Sequence, residues 1–414
     1  MESLIKDISL APLGHQRIAW AKEYMPLVNE LRKKYEAAQP FKGVNMITSI
    51  HLEAKTAYFV QTLKACGANV VATGCNPLST QDEICAALVD SGVTVMATHG
   101  CTAEEYDMYL REALKVNPII FVDDGGDLLG MINAERQDLI PTIIGGSEET
   151  TTGIHRLKSL DKAGRLPFPM IDVNDAYMKY LFDNRYGTGQ SALDGIIRTT
   201  NLALAGRTMV VAGYGWCGKG VAMRAKGMGA NVIVTEIDPI KAVEAIFDGF
   251  RVMPMVEAAK EGDLFITLTG CKDVITKEAM QNMKNGAVMC NAGHFDCEIN
   301  KNDLEALSVE APYEVRKNIM TYTLADGRKL NLLGEGRLVN LACGDGHPIE
   351  IMDQSFAMQF LAMKYLLDHK GQMEKKLYLL PEELNYEMAE LKLKSMNIKL
   401  DELTEDQKAY LEAE

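Results

Sequence analysis

The chain has 414 residues, 47% of them hydrophobic and 24% charged, a globular composition with more than one domain's usual share of core-forming residues. Its net charge of -14 argues against nucleic acid or an anionic membrane as a general partner, because both require a basic surface. No apolar run approaches the roughly 20 residues that span a bilayer, and the N-terminus MESLIKDISLAPLGHQ lacks the apolar centre of a signal peptide.

Residues 16–39 read as an amphipathic helix, broken or bent near Pro26. From Gly43 strand-like and helix-like pieces alternate. Strands are expected at Asn45–Ile50, Ala68–Thr73, Val93–Ala97 and Pro118–Val122, with helices at Glu53–Cys66 and Gln81–Ser91. That alternation implies a parallel sheet with helices on both faces. A helix is expected over Ser191–Leu204. Then comes VVAGYGWCGKGVAMRAKGMGANVIVTE, Val210–Glu236. A β-branched run meets Gly213, Gly215 and Gly218 in G-x-G-x-x-G spacing, followed by a helical pattern, a second apolar run and an acid, Glu236. That order is a βαβ unit that holds a dinucleotide. Gly213 makes the tight turn, Gly215 admits the pyrophosphate, and Gly218 lets helix and strand pack closely. The helix N-terminus faces the phosphates. Glu236 can accept from the adenosine ribose hydroxyls, which favours NAD over NADP. Further strands are expected at Leu264–Leu268, Ala287–Cys290 and Leu330–Leu333, a helix from Met352 to His369, and a charged helical tail over 382–414. The fold class is therefore α/β: two doubly wound parallel-sheet domains with a cleft between them, plus a short helical C-terminal tail. Nine cysteines are scattered, with no C-x-x-C pair. Neither a metal site nor a disulfide framework is expected, only reduced thiols in a cytoplasmic protein.

Loops after predicted strands concentrate polar residues: His51, Asp123-Asp124-Gly125-Gly126-Asp127, Glu148-Glu149 before Thr150-Thr151-Thr152, Lys179 four residues before Asp183-Asn184, His294 and His347. Singly, each has an ordinary structural reading. The threonines could cap a helix, Lys179 and Asp183 could be an i,i+4 pair, and the Asp-Gly run could be a turn. Jointly, a lysine, acids and histidines beside a dinucleotide cleft are what hydride and proton transfer require.

At SIHLEAKTA (49–57), NPLSTQD (76–82), DDGGD (123–127), SEETTTG (147–153), VND (173–175), FDNRYG (182–187), VVAGYGWCGKG (210–220), TEIDP (235–239), NAGHFD (291–296) and EGRLVNLACGDGHP (335–348), the chain resembles the S-adenosylhomocysteine hydrolase family over essentially its whole length. The resemblance implies a homotetramer with tightly held NAD. Its partners are small: a nucleosidyl-homocysteine, the nucleoside and homocysteine. It implies oxidation at the nucleoside 3′-carbon, elimination of homocysteine from C5′, addition of water, and reduction back. It implies a substrate-binding domain over 1–184, a Rossmann NAD domain over 185–347, a helix returning to the substrate domain over 348–375, and a C-terminal helical oligomerisation segment over 376–414.

Carried over by motif, Lys179 removes the 3′-hydroxyl proton, its pKa expected to be lowered by burial. Asp183, Glu149 and Asn184 organise the ribose and Lys179. Asp124 and His51 handle protons at C4′ and C5′, and His294 lies on the 3′ side. Glu53, Lys55, Thr56, His347, Met352 and Phe356 are expected to bind substrate. Thr150, Thr151, Thr152, Gly213, Gly215, Trp216, Cys217, Gly218, Glu236 and Asn340 are expected to bind NAD.

Three departures stand out. Thr188 replaces a cysteine found in many members. The sequence ends at Glu414, where longer members carry a Lys- and Tyr-bearing tail that reaches a neighbour's NAD, so that clamp is not expected here. Glu53 and Lys55 stand where adenosine-specific members more often have Thr and Glu. A lysine has donors only. Lys55 donating to O6 and Glu53 accepting from N1–H would match hypoxanthine; in the other reading the two side chains pair at the rim. The competing functions are an NAD-dependent hydroxy- or amino-acid dehydrogenase and a catalytically silent binding protein.

Overall fold

The computed structural model describes residues 1–413. Two helices open the chain, Ala11–Glu23 and Pro26–Tyr35. Pro26 does not bend one helix; it starts a second, at the position where a missing N–H costs nothing. Strands β1 (Asn45–Ser49), β2 (Asn69–Thr73), β3 (Thr94–Met96), β4 (Ile120–Asp123), β5 (Gly145–Glu148) and β6 (Met170–Asp172) then alternate with helices. In the second half come β7 (Thr208–Ala212), β8 (Asn231–Thr235), β9 (Arg251–Val252), β10 (Leu264–Thr267), β11 (Val288–Asn291), β12 (Tyr313–Arg316), β13 (Ile319–Thr323) and β14 (Lys329–Leu333). A last strand, β15 (Leu377–Leu379), returns to the first sheet.

The first sheet runs β15-β6-β5-β4-β1-β2-β3 and is parallel throughout. The second runs β12-β13-β14-β11-β10-β7-β8-β9. It is parallel except at the β12-β13-β14 edge, an antiparallel addition that the sequence pattern did not disclose. Alternate residues feed opposite cores. Met46 packs on one face of β1 and Ile47 on the other; Met209 and Val211 oppose Val210 on β7. Both sheets are thus covered on both sides, as parallel strands require. Strand order reverses between β1 and β4 in the first sheet and between β7 and β10 in the second, and ligands of such sheets sit at the carboxyl ends of strands beside these reversals.

Strand β5 reads Gly145-Gly146-Ser147-Glu148 and carries no apolar pattern. Its glycines are needed for approach: a Cβ on Gly145 would meet Leu366 Cδ2 at 2.6 Å, and one on Gly146 would meet the Phe121 ring at 2.6 Å. Leu366 belongs to the helix Ile349–Asp368, which lies on the first sheet with Phe356 stacked on Phe59 at 5.0 Å. No helix among the described residues is long and apolar enough to cross a membrane.

On that same helix Asp353, fully buried, accepts from the backbone N–H groups of Leu27 (3.0 Å) and Val28 (2.9 Å) and so caps the second helix from a distance. Burial, opposed by those two bonds, pushes its carboxyl up to about 6. A carboxyl whose folded value exceeds the unfolded one favours folding fully only at low pH. Its contribution falls as pH rises through about 4 to 6 and is constant above. Asp353→Asn should therefore flatten the pH dependence of Tm between pH 4 and 6, removing a change of about 3 kcal/mol. An unchanged slope in thermal melts would refute this assignment.

Candidate active site

The loops at both reversals face one cavity of about 1350 Å³, larger than the roughly 300–1,000 Å³ of a single-ligand pocket and thus roomy enough for a dinucleotide and a second ligand. At the end of β1, His51 Nδ1 meets Ser79 Oγ at 2.7 Å. Its Nε2 lies 3.5 Å from Asp124 Oδ2, at the end of β4. Asp124 also accepts from the Cys75 thiol at 3.3 Å. From the second domain His294, in the loop after β11, brings Nδ1 to 3.6 Å from Asp124 Oδ1. The donor atoms of His51, Asp124 and His294 lie within 4.8 Å of one another, so one water or one substrate atom can touch all three. Burial and then the charge of His347 push His51 down to about 3, so it is a neutral imidazole. Burial raises Asp124 and lowers His294. The neighbouring Asp123 has a structural role: its carboxylate accepts from the N–H groups of Asp124, Leu128 and Leu129 and shapes the turn.

A second cluster centres on Lys179, 3% exposed. Its ammonium donates to Asn184 Oδ1 (2.9 Å) and Asn174 Oδ1 (3.2 Å) and lies 3.2 Å from Asp183 and 3.6 Å from Glu149. Burial opposes the charge, but Asp183 and Glu149 outweigh it and hold the ammonium above the usual lysine value. This corrects the expectation of a pKa lowered by burial. Burial pushes Glu149 up to about 8, against the pull of Lys179. Lys179 holds Asp183 below the carboxylate range despite burial. Asp183 accepts from Ser355 Oγ at 2.8 Å, and Glu149 from Gln359 Nε2 at 2.6 Å, both from the helix Ile349–Asp368.

The dinucleotide motif forms as its spacing predicts. Gly213 adopts φ +98°, and a Cβ on Gly218 would lie 1.9 Å from the Gly213 carbonyl. Gly215 faces open space, where a Cβ would meet nothing within 4 Å. Trp216 and Cys217 begin the following helix, with Cys217 Sγ 3.6 Å from the Thr188 hydroxyl. Glu236, ending β8, accepts from the N–H groups of Tyr214 (2.7 Å), Ile237 (2.7 Å) and Asp238 (3.1 Å). Thr150, Thr151 and Thr152 sit at the N-terminus of the helix Thr151–Lys162, across the cavity.

Models of two family domains match the chain: S-adenosyl-L-homocysteine hydrolase over residues 2–142, and the S-adenosyl-L-homocysteine hydrolase NAD binding domain over residues 184–346. The chain is 57% identical to an adenosylhomocysteinase of Thermococcus kodakarensis, over 99% of this chain and 97% of that one. It is 56% identical to an S-inosyl-L-homocysteine hydrolase of Methanocaldococcus jannaschii, over 99% and 98%. The chain belongs to the S-adenosyl-L-homocysteine hydrolase family.

Its cofactor is NAD, and the site fits that group. The carboxamide oxygen Oδ1 of Asn340 is buried without a hydrogen-bond partner, an acceptor available to an amide N–H. Glu236 presents a carboxylate, which suits ribose hydroxyls and repels a 2′-phosphate.

The catalytic residues expected from sequence thus fall into two clusters on one cavity. His347 packs against Gly187, donates to or accepts from Thr188 (3.2 Å), Ser191 (3.3 Å) and Asn340 (3.2 Å), and lies 3.4 Å from Asp183. The residue before it, Gly346, lies beside Lys55. Met352 and Phe356 line the cavity too, although Phe356 is mainly core. Glu53 and Lys55 are paired at 3.0 Å, and both are buried rather than at a rim. Glu53 takes the N–H groups of Lys55 (2.9 Å) and Thr56 (3.2 Å) and the Thr56 hydroxyl (3.2 Å). With the Lys55 ammonium these fill its roughly four acceptor positions, so Glu53 is not left to accept from a base N1–H. Sequence reading overlooked Asn174, Ser79, Cys75, Ser355 and Gln359. The first three lie in or next to motifs already singled out; the last two had no local signal, since only packing of a distant helix brings them here.

Proposed function

We propose that this protein hydrolyses the thioether of an S-(5′-nucleosidyl)-L-homocysteine through a 3′-oxidised intermediate, and that it prefers hypoxanthine to adenine as the base. The observation that carries the reaction is the pair of clusters, Lys179 with four carboxylate or amide partners and His51–Asp124–His294, facing each other across a cavity shared with the dinucleotide loop. NAD supplies the hydride acceptor and, when oxidised, a positive charge in the pocket. A cation bound there would oppose the ammonium of Lys179 and favour its neutral amine. Lys179 then takes the 3′-hydroxyl proton, while Asn184, Asn174 and Asp183 fix its direction. A ketone at C3′ acidifies C4′–H. Asp124 and His51 move the proton there and at C5′, where homocysteine leaves and water adds. His294 closes over them and excludes bulk water.

The base preference rests on Lys55. Its ammonium donates to the Asp345 carbonyl (2.8 Å) and pairs with Glu53 (3.0 Å), which leaves one N–H for the cavity. A 6-oxo group accepts that N–H; a 6-amino group opposes it. One unpaired buried polar group costs roughly 1–3 kcal/mol, or about 5- to 150-fold in kcat/KM. Thiol release should therefore favour S-inosyl- over S-adenosyl-L-homocysteine within that range, and Lys55→Glu with Glu53→Thr should reverse the order. A wild-type preference for the adenosyl compound would return both residues to a structural role. Net accumulation of NADH with either compound would instead favour a dehydrogenase.

Assembly and location belong to the same reading. A homotetramer is supported by the apolar, exposed face of the helix Pro239–Phe247, where Ile240 is 78% and Phe247 88% exposed. A cytoplasmic setting is supported by nine free cysteines.

A further inference from the structure

The turn Asn76–Thr80 belongs to a motif, NPLSTQD, that the reaction above leaves without a role. It is fixed by its own bonds. The Asn76 side chain accepts from Leu78 N–H at 2.9 Å, and the Asn76 carbonyl accepts from the Ser79 hydroxyl at 3.0 Å and the Thr80 hydroxyl at 3.4 Å. Ser79 is 3% exposed and Asn76 7%. A carbonyl oxygen carries no proton, so the single hydroxyl proton of Ser79 is spent on Asn76. Toward His51, 2.7 Å away, Ser79 Oγ can therefore only accept, and Nδ1 of the imidazole must carry the hydrogen. The other ring nitrogen, Nε2, then holds a free lone pair directed at Asp124 and the cavity.

We propose that Ser79 is a positioning residue that sets the tautomer of His51, keeping the proton on Nδ1 and the basic lone pair on Nε2. The inference deepens the proton-transfer role of His51 proposed above and rests on it. With the opposite tautomer, Nε2 would point a proton at Asp124 and could accept none from substrate. In the elimination the C4′–H and C5′–S bonds break, a C4′–C5′ double bond forms, and the sulfur leaves with a proton. A neutral His51 with Nε2 free can take a proton from Asp124 or from substrate and hand it on. While it holds that proton the ring is an imidazolium, its Nδ1–H still on Ser79 Oγ and its positive charge facing the Asp124 carboxylate. The same arrangement serves water addition in reverse. Ser79 touches no reacting atom; it acts through the ring.

The test is solid-state 15N NMR of the NAD-loaded protein labelled at histidine, with the His51 signals assigned by their loss in His51→Gln. In the wild type Nδ1 should give the N–H type resonance and Nε2 the bare, pyridine-like one. In Ser79→Ala the Nε2–H form should grow, and kcat for thiol release should fall by about 10- to 100-fold, the usual cost of losing a group that orients a functional histidine, with KM changed far less. The absorbance at 340 nm that follows addition of nucleoside should rise at the wild-type rate, because that half-reaction uses Lys179. Ser79→Thr keeps the hydroxyl and should restore both tautomer and kcat. A wild-type His51 protonated on Nε2, or a Ser79→Ala enzyme with unaltered kcat, overturns the proposal. Failure of the wild type to release thiol from either nucleosyl-homocysteine would instead sink the hydrolase reading, and the NMR result would still decide the tautomer.

Discussion

Lys179→Met should lower kcat for thiol release by about 10²–10⁴-fold, the range for loss of a general acid–base, and should abolish the 340 nm absorbance that nucleoside induces. Among the described residues the lysine is the only cation between Asp183 and Glu149, at 3.2 and 3.6 Å, and it is fixed by two amide oxygens. No other amine in the cluster can replace it. Removing it also strips two buried carboxylates of their partner, a change that typically costs about 3–5 kcal/mol. Glu149, already pushed to about 8, answers by holding its proton. Asp183 keeps the Ser355 hydroxyl and His347. Lys179→Arg separates chemistry from stability: it preserves the charge but cannot give up a proton. We expect it to melt nearer the wild type than the methionine variant and to remain at least about 10²-fold slow. Wild-type turnover by the arginine variant would exclude Lys179 as the base.

Gly125→Val should lower kcat/KM by about 10²-fold, the cost of misplacing a catalytic group by roughly 1 Å, while NAD binding stays near the wild-type value. Gly125 has φ +106°, and a Cβ there would lie 2.3 Å from His294 Nε2 and 2.9 Å from its Cδ2. The Asp-Asp-Gly-Gly turn is thus the seat into which the second domain lowers His294. A side chain keeps the imidazole out and leaves the Asp124 end of the cavity open to water. The dinucleotide loop is on the other domain and is untouched. Backbone strain alone costs about 1–3 kcal/mol at such a site, so a control is needed. Gly43→Val supplies one: its φ is +78°, and a Cβ there would meet nothing within 4 Å. We expect the Gly43 variant to lose stability and keep its kcat/KM. Equal losses of activity in the two variants would show strain, not seating of His294, to be the cause.

The sequence by itself determined the elements and the chemistry carried by contiguous motifs. Gly213, Gly215, Gly218 and Glu236 were legible because the constraint is local: a tight turn, a close approach and an acid at the end of the next strand. The β1, β2, β4 and β7 strands were legible because β-branched runs between turn signals have few other uses. Strand β5 was not, since Gly145-Gly146-Ser147-Glu148 is chosen by what approaches it, Leu366 and Phe121, and not by strand propensity. The antiparallel β12–β13 pair escaped as well, because edge strands of a mixed sheet need no continuous apolar run.

Only the tertiary structure decided how the candidate residues combine. His51, Asp124 and His294 come from three loops on two domains, and no spacing in the chain encodes a 4.8 Å cluster. Electrostatics were likewise invisible. The same burial that was expected to lower the pKa of Lys179 also desolvates Asp183 and Glu149, and the attraction between these groups exceeds the desolvation of the lysine. Ser355 and Gln359 join the site from a helix about 170 to 210 residues further along the chain. Sequence records which groups are present; distance and dielectric, which fix what those groups do, arise only when the two sheets and the returning helix enclose one cavity.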